Sequence, residues 1–581
     1  MKMFIINLSL KCIKYIFFLQ LLYCNNVLSE EKDYRANPEP RTEVQYKSSI
    51  DYSKNFMVVC ADKRAAIAAK KILNLGGNAI DAAIAAQNVL SVVEPQSSGL
   101  GGGGFLLFYN KKLNVLEAWD GRETSPESSA PHQYIDIEKK KMPFMKALVS
   151  PISIGVPGLY TMLFDAHTKN GKVSWNKLFV DAISYAEEFK VSPRLHKMLK
   201  WAPHIKNDEY SKKIYYEDEA PKKVGSIVNN IKLARSLKLL SKNGYSINSG
   251  KLSDLIQKRV PTLSQKDLKN WKTIQRSALC KKYHEYEICG FPPPTSGGIS
   301  VLQTLSILEN FDTKFDHKKT ILDEHLFLEA SRLAYADRDV FIADPKFFAV
   351  PTEELLSDKY LNQRAALINL KKARTEFRSG SPKSLKIENL NSGINFNIPS
   401  TTHISIIDAD GNAVALTSSI EFAFGSGKTV GGFFLNNQLT DFSFLSHNQK
   451  GIKIANSVEP KKKPRSSMAP TIVFKDDQLV GVLGSPGGSR IICYVSKTLF
   501  YLINFNLGIE ESIDLPHLCS RNSFSEIEKT DHKSITASEL KLLGHDIVKK
   551  EMNSGLNIIW KNGNVWGGAS DHRREGVAVG F

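Results

Sequence analysis

Apolar residues between Ala61 and Leu75 recur at helical spacing and stop at Gly76-Gly77, which predicts an amphipathic helix ended by glycine. Asn78 is placed to cap a second helix that runs through Val93 and ends at Glu94-Pro95. Ser97 to Gly104, with four consecutive glycines from Gly101, then leads into a strand over Phe105–Tyr109. A backbone so stripped of side chains must pass close to a ligand or to another strand. From about 150 to 390 the pattern is mostly helical, interrupted by a rigid loop, Phe291 to Gly298, ahead of a helix from about Ile299. Lys371 to Pro399 is polar and broken by Gly380, Pro382, Gly393 and Pro399, so it is expected to be exposed, mobile and easily cut.

From Thr401 the period changes from helical to alternating. Ile404–Asp408 and Ala413–Thr417 predict a hairpin around the turn Asp408 to Asn412. A second pair, Thr471–Lys475 and Leu479–Leu483, is followed by Gly484-Ser485-Pro486-Gly487-Gly488 and a helix from about Ser489. A third, Leu556–Trp560 and Asn564–Trp566, surrounds Asn562-Gly563. Helices early and paired strands late indicate a layered α/β domain whose antiparallel sheet carries the site.

With 581 residues, 42% of them hydrophobic, the chain has material for a large core, either as two to four domains or as one large architecture. Met1 to Ser29 holds Lys2, Lys11 and Lys14 and no acidic residue, then the mostly apolar Tyr15–Tyr23 and a small-residue end at Val27-Leu28-Ser29. That is the layout of a signal peptide, too short for a membrane span of about 20 residues. An exported, periplasmic protein is expected; the alternative is an uncleaved anchor or a lipidated Cys24. A polar linker, Glu30 to Asn55, follows.

The net charge of +17 raises nucleic acid as a partner. The excess is diffuse, however, with short runs at Lys139–Lys141 and Lys461–Lys463 and no interleaved aromatics, so it reads as a solvated surface and no nucleic-acid partner is expected. Of seven cysteines, Cys12 and Cys24 fall in the leader; the other five are too few and too odd for a disulfide framework, and none has zinc spacing. A single bridge, Cys280 to Cys289, is open across a short loop. No metal or cofactor is expected.

Three patterns are set aside. Gly425-Ser426-Gly427-Lys428-Thr429 ends like a phosphate loop, but the first glycine of that motif would fall at Phe422. His325 and Glu329 share a helix face without a third ligand, which favours helix packing or a salt bridge. Gly101 to Gly104 lacks the dinucleotide fingerprint, so a tight packing turn is favoured.

The informative constellation begins at Ser400-Thr401-Thr402-His403. A threonine between a breaker-rich segment and a buried strand becomes a nucleophile if the preceding peptide bond is broken, because its own freed α-amine then serves as the base. Gly487-Gly488 offers unencumbered backbone N–H groups near a helix N-terminus, the arrangement of an oxyanion hole. Ser466, Ser467 and Asp441 lie on polar loops fit to hold the carboxylate and ammonium of an amino-acid substrate, and Arg122 is fit to clamp a carboxylate.

These residues, with Gly99 to Phe105, Gly121–Pro126, Pro292–Gly298, Ala334-Tyr335-Ala336-Asp337-Arg338, Leu435-Asn436-Asn437-Gln438, Ser466-Ser467-Met468 and Gly484–Arg490 in order, resemble the gamma-glutamyltranspeptidases over about residues 50 to 581. The resemblance implies a four-layer α/β/β/α fold of the N-terminal nucleophile hydrolase type, made as a precursor of leader (1–29), large subunit (30–400) and small subunit (401–581). It implies autocatalytic cleavage between Ser400 and Thr401, association of the pieces as a heterodimer, and attack of Thr401 on the γ-carbonyl of glutathione or a related donor. Water, an amino acid or a dipeptide would then accept the γ-glutamyl group.

In the implied roles Gly487 and Gly488 hold the oxyanion, and Arg122, Ser466 and Ser467 the α-carboxylate. Asp441 and Gln438 hold the α-amine side, while Ser419 orients the nucleophile's amine. The chain departs from the usual pattern at Glu421, where an asparagine is common, and at Ser419, where threonine is. The covering segment from Ser443 to Lys462 looks short and lacks a tyrosine, which favours hydrolysis. A carboxyacyl-amide acylase of the same superfamily and an unprocessed binding relative are the alternatives; Asp441 argues against the first and an intact Thr401 against the second.

Overall fold

Asp62 caps the helix Lys63–Asn74 by accepting from the Arg64 N–H, and Asn78 with Asp81 closes a capping box on Ala79–Val93. The second helix is mostly apolar, and all of its residues are buried. It lies on a seven-stranded sheet ordered Val577–Gly580, Met57–Cys60, Ser400–Ile407, Ala413–Glu421, Gly103–Asn110, Val115–Asp120 and Ile274–Arg276. This computed structural model describes residues 39–580 apart from 43–46, 139, 244–245, 312–319, 386–399, 449 and 530–534.

A second seven-stranded sheet runs Ser49–Ser53, Val565–Ser570, Asn557–Asn562, Gln478–Gly484, Thr471–Lys475, Tyr286–Gly290 and Leu279–Tyr283. It packs face to face on the first through Ser400–Ile407 and Ala413–Glu421, and its outer face carries the helices Gly297–Leu308 and Ile491–Asn504, with Ile321–Phe341 against Gly297–Leu308. The order is therefore α/β/β/α, and each sheet is built from strands on both sides of residue 400. Strands buried on both faces lose the alternation of a half-exposed sheet: every residue of Ser400–Ile407 and of Ala413–Glu421 is buried.

All three predicted hairpins form, with strand ends displaced by one to a few residues: most are longer, while Asp408, Leu556 and Asn564 fall outside. The glycine run is a packing device. A Cβ at Gly101 would lie 2.2 Å from the Phe434 carbonyl oxygen, and one at Gly102 2.3 Å from that of Ser419. His325 bonds His545 and the Asn369 carbonyl, and Glu329 accepts from the Arg374 N–H, so that pair is structural.

Three expectations need correction. The middle of the chain is not only helical, since Ile274–Arg276, Leu279–Tyr283 and Tyr286–Gly290 supply strands to both sheets. The part of the polar segment that is described, 371–385, is pinned: Ala373 donates to Leu543, Phe377 to Asn522 and Gly380 to Asp337. Residues 386–399 lie outside the described residues, as does the leader.

The cysteines form two bridges rather than one at most, Cys280–Cys289 across directly paired strands and Cys493–Cys519 between a helix and a strand. Cys60 is free and buried, which pushes its thiol far above the range in which it reacts. Closing a loop of 26 residues is worth about 3.5 kcal/mol in chain entropy. The Cys493→Ala/Cys519→Ala double variant is therefore expected to unfold several degrees below the parent in differential scanning calorimetry. An unchanged midpoint would show that the bridge carries no stability.

Candidate active site

Ser400 pairs with Glu421 and Thr401 with Ser419, so the register skips Ile420 at the peptide bond between Ser400 and Thr401. Such a bulge re-aims the side chains around it. Glu421, on the partner strand, takes a φ of 78°, a left-handed conformation rare for a residue with a side chain. The Ser419 hydroxyl donates to the Ser400 carbonyl oxygen at 2.8 Å and accepts from Thr401 Oγ1 at 3.2 Å, while the Glu421 N–H donates to it at 2.9 Å. Thr401, 4% exposed, opens onto a small cleft lined by Arg122, Ser419, Glu421, Gln438, Asp441, Ser466, Ser467, Met468, Gly488 and Ile491.

Arg122 follows the end of the strand Val115–Asp120, where the Asp120 carboxylate accepts from its N–H at 2.9 Å. Its guanidinium bonds the carbonyls of Pro464 and Arg465 and reaches Asp441 Oδ2 at 2.5 Å. Asp441 ends the short 3-10 turn Gln438–Asp441, and the same oxygen accepts from Gln438 Nε2 at 2.7 Å. Gln438 Oε1 is buried and has no hydrogen-bond partner among the described residues. Glu421 accepts from the Asn437 side-chain amide. Burial, followed by the neighbouring Asp441 carboxylate, lifts Glu421 well above the usual carboxylate range and outweighs the opposing influence of Asn437 and Arg122. Burial likewise pushes Glu123, 3.7 Å from Arg122, up to about 8.

Gly487 has a φ of 139°, and a Cβ there would strike the Tyr494 ring at 2.5 Å, so only glycine fits the turn. Gly488 starts the 3-10 turn Gly488–Arg490, which runs directly into the helix Ile491–Asn504. Gly488 faces the cleft, whereas Gly487 is not among the residues lining it. The covering segment folds back on itself through bridges Ser443 to Ser457 and His447 to Lys453. It brings no tyrosine of its own, but Phe444 stacks at 4.2 Å on Tyr134.

Thus Thr401, Ser419, Glu421, Arg122, Gln438, Asp441, Ser466, Ser467 and Gly488, scattered over hundreds of residues, converge on one cleft. Sequence reasoning missed Asn437 as the partner of Glu421, the apolar wall of Met468 and Ile491, and Arg574, whose guanidinium donates to the Thr401 carbonyl at 3.0 Å. Asn437 and Met468 stand within motifs already singled out. Nothing local marks Arg574.

Residues 65–581 match the family model described as gamma-glutamyltranspeptidase. The chain is 33% identical to a glutathione hydrolase proenzyme of Bacillus subtilis (strain 168), over 94% of both chains. It is 34% identical to the glutathione hydrolase proenzyme of Escherichia coli (strain K12), over 91% of this chain and 92% of that one. Among solved structures it resembles a cephalosporin acylase from Bacillus halodurans, with a TM-score of 0.80 and 26% identity over 92% of this chain and 97% of that one.

Proposed function

The chain belongs to the gamma-glutamyltranspeptidase family, and from that premise we propose that it is a γ-glutamyl hydrolase and transpeptidase acting on glutathione and related donors, with Thr401 as nucleophile. The observation that carries this reading is the Ser419 hydroxyl shared between Thr401 Oγ1 and the Ser400 carbonyl oxygen, at the mouth of a cleft that holds Arg122 and Asp441.

In the precursor, Ser419 polarises the Ser400 carbonyl. Thr401 Oγ1 adds to the carbonyl carbon, its hydroxyl proton passes to the departing nitrogen as the C–N bond breaks, and the acyl group moves from nitrogen to oxygen. Water cleaves the resulting ester, leaving a carboxylate on Ser400 and a free α-amine on Thr401. The pieces, 30–400 and 401–581, stay together because both sheets draw strands from each. The leader is read as removed on export to the periplasm. No helix among the described residues is long and apolar enough to cross a membrane.

In turnover, the amine takes the Thr401 hydroxyl proton as the oxygen attacks the donor's γ-carbonyl, and passes it to the departing amine. Backbone N–H groups of the Gly487-Gly488 turn hold the oxyanion. Water or an amine acceptor then cleaves the γ-glutamyl ester. Arg122, Ser466 and Ser467 hold the α-carboxylate, and Asp441 with Gln438 Oε1 holds the ammonium. The short covering segment leaves the ester open to water, which favours hydrolysis.

A protonated Glu421 offers one donor and one acceptor, as an asparagine amide does, and so touches carboxylate and ammonium together. Ionisation as pH rises sets a negative charge against the donor's carboxylate, so the donor KM is expected to climb on the alkaline side. Stability carries the same sign. The folded state keeps a proton that the unfolded chain has released, so the stability present at acid pH is lost as pH rises from the usual carboxylate range through the raised value. Glu421→Gln is expected to keep donor kcat/KM within about threefold at neutral pH, an effect below that of one hydrogen bond, and to flatten the alkaline rise in KM. A variant that no longer binds donor would refute the protonated role.

The reading as a whole is tested with γ-glutamyl and glutaryl anilides, with and without glycylglycine. Turnover of the first and not the second supports it. Preference for the glutaryl compound, which lacks the α-amine, would make the protein an acylase instead.

A further inference from the structure

Two of the ordered motifs, Pro292–Gly298 and Ala334–Arg338, have no part in the chemistry above, yet both press against the back of the cleft. Tyr335 and Arg338 stand three residues apart on the buried helix Ile321–Phe341 and therefore share a face, with the guanidinium 5.6 Å from the Tyr335 ring centre. The Tyr335 hydroxyl donates to the carbonyl of Ser489, the residue that follows Gly487-Gly488. Arg338 spends each arm of its fork on a different partner: Nη2 on Ser467 Oγ at 2.8 Å, Nε on Ser296 Oγ at 2.9 Å and Nη1 on Asp339 at 2.6 Å.

Ser296 passes the grip on, donating its N–H at 2.9 Å and its hydroxyl at 2.7 Å to the Ser466 carbonyl. Gly297 lets the two loops close up, since a Cβ there would meet the Met468 carbonyl oxygen at 2.2 Å. One helix face thus holds both halves of the cleft from behind, the serine loop through Arg338 and the oxyanion turn through Tyr335.

We infer that Tyr335 and Arg338 are positioning residues for the donor, Arg338 setting the Ser466-Ser467 hydroxyls against the α-carboxylate and Tyr335 fixing the Gly487-Gly488 turn against the developing oxyanion. The inference rests on the γ-glutamyl reading of the cleft. A Ser467 oxygen that accepts from a guanidinium turns its own proton away from that cation, and the nearby charge makes the hydroxyl a stronger donor to a carboxylate. Lysine cannot replace this arrangement, because one ammonium cannot span Ser296, Ser467 and Asp339 in the plane of a fork.

The test compares kcat and KM for γ-glutamyl anilide and for 4-aminobutyryl anilide, the same acyl chain without the α-carboxylate. Arg338→Lys is expected to raise KM for the γ-glutamyl compound about tenfold, the scale of one charged hydrogen bond, with kcat nearly unchanged. The other donor should be unaffected, so that the preference between them narrows about tenfold. Tyr335→Phe is expected to lower kcat on both donors by a similar factor and to leave the preference intact.

Variants that lose only melting temperature, with parental kcat, KM and donor preference, would overturn the inference. If Arg338→Lys does not fold, Ser296→Ala reads the same ratio through a smaller change: a narrowed preference supports the inference and a parental one overturns it. A wild type inert toward γ-glutamyl anilide would bring down the reading of the cleft and this inference together. An active wild type with variants of parental preference would bring down the inference alone.

Discussion

Thr401→Ala is expected to leave the chain as a single band on a denaturing gel and to abolish turnover of γ-glutamyl anilide, the two effects arising from the loss of one oxygen. Without the hydroxyl no acyl group can move from nitrogen to oxygen at Ser400, and no nucleophile awaits the donor. The substitution is gentle on the fold. Thr401 is buried and pairs through its backbone with Ser419, and alanine keeps that register. The melting temperature should therefore stay near that of the wild type, so that the lost activity is not a folding defect. Thr401→Ser, which retains the oxygen, should still split, though more slowly. A Thr401→Ala chain that splits normally would move the nucleophile elsewhere.

Asp441→Asn is expected to spare self-cleavage and to cripple donor turnover. The carboxylate lies 2.5 Å from Arg122, whose side chain is 1% exposed, and it also takes the Gln438 amide. The charged hydrogen bond from the donor's ammonium to this carboxylate is worth about 1.5–3 kcal/mol, and an amide in its place loses the charge that makes it strong. At about 1.4 kcal/mol per tenfold, kcat/KM should fall by roughly one to two orders of magnitude. Cleavage depends instead on Ser419, which bonds both Thr401 Oγ1 and the Ser400 carbonyl oxygen. Gel and anilide assay should accordingly part company. An Asp441→Asn enzyme with near-parental kcat/KM would remove Asp441 from the donor site.

Much of the fold was legible because its elements carry strong local signals. Asn78 announces a helix start, and alternation around Asp408–Asn412 announces a hairpin. The strands Ile274–Arg276 and Leu279–Tyr283 escaped notice because they lie at sheet edges, where partial exposure lets polar residues dilute the alternation. The bridge between Cys493 and Cys519 joins a helix to a strand, and sequence spacing does not specify such a pairing.

For the site, residue types within each motif suggested which groups hold anions, cations or an oxyanion, but periodicity could not bring Arg122 to Asp441, 319 residues away. The ordered series of motifs did that. Tyr335, Arg338 and Arg574 act through the backbone or hydroxyls of other residues, so their roles exist only once distant segments are packed.

In the proposed reaction Thr401, exposed by cleavage after Ser400, carries the γ-glutamyl group. Intact-mass spectrometry of the purified protein, quenched in acid moments after mixing with γ-glutamyl anilide, tests it most directly. The expected result is a fragment spanning residues 401–581 whose mass rises by one γ-glutamyl group, with the increment located on Thr401 by fragmentation. A single uncleaved mass, a cut at another bond, or an increment on another residue would contradict it.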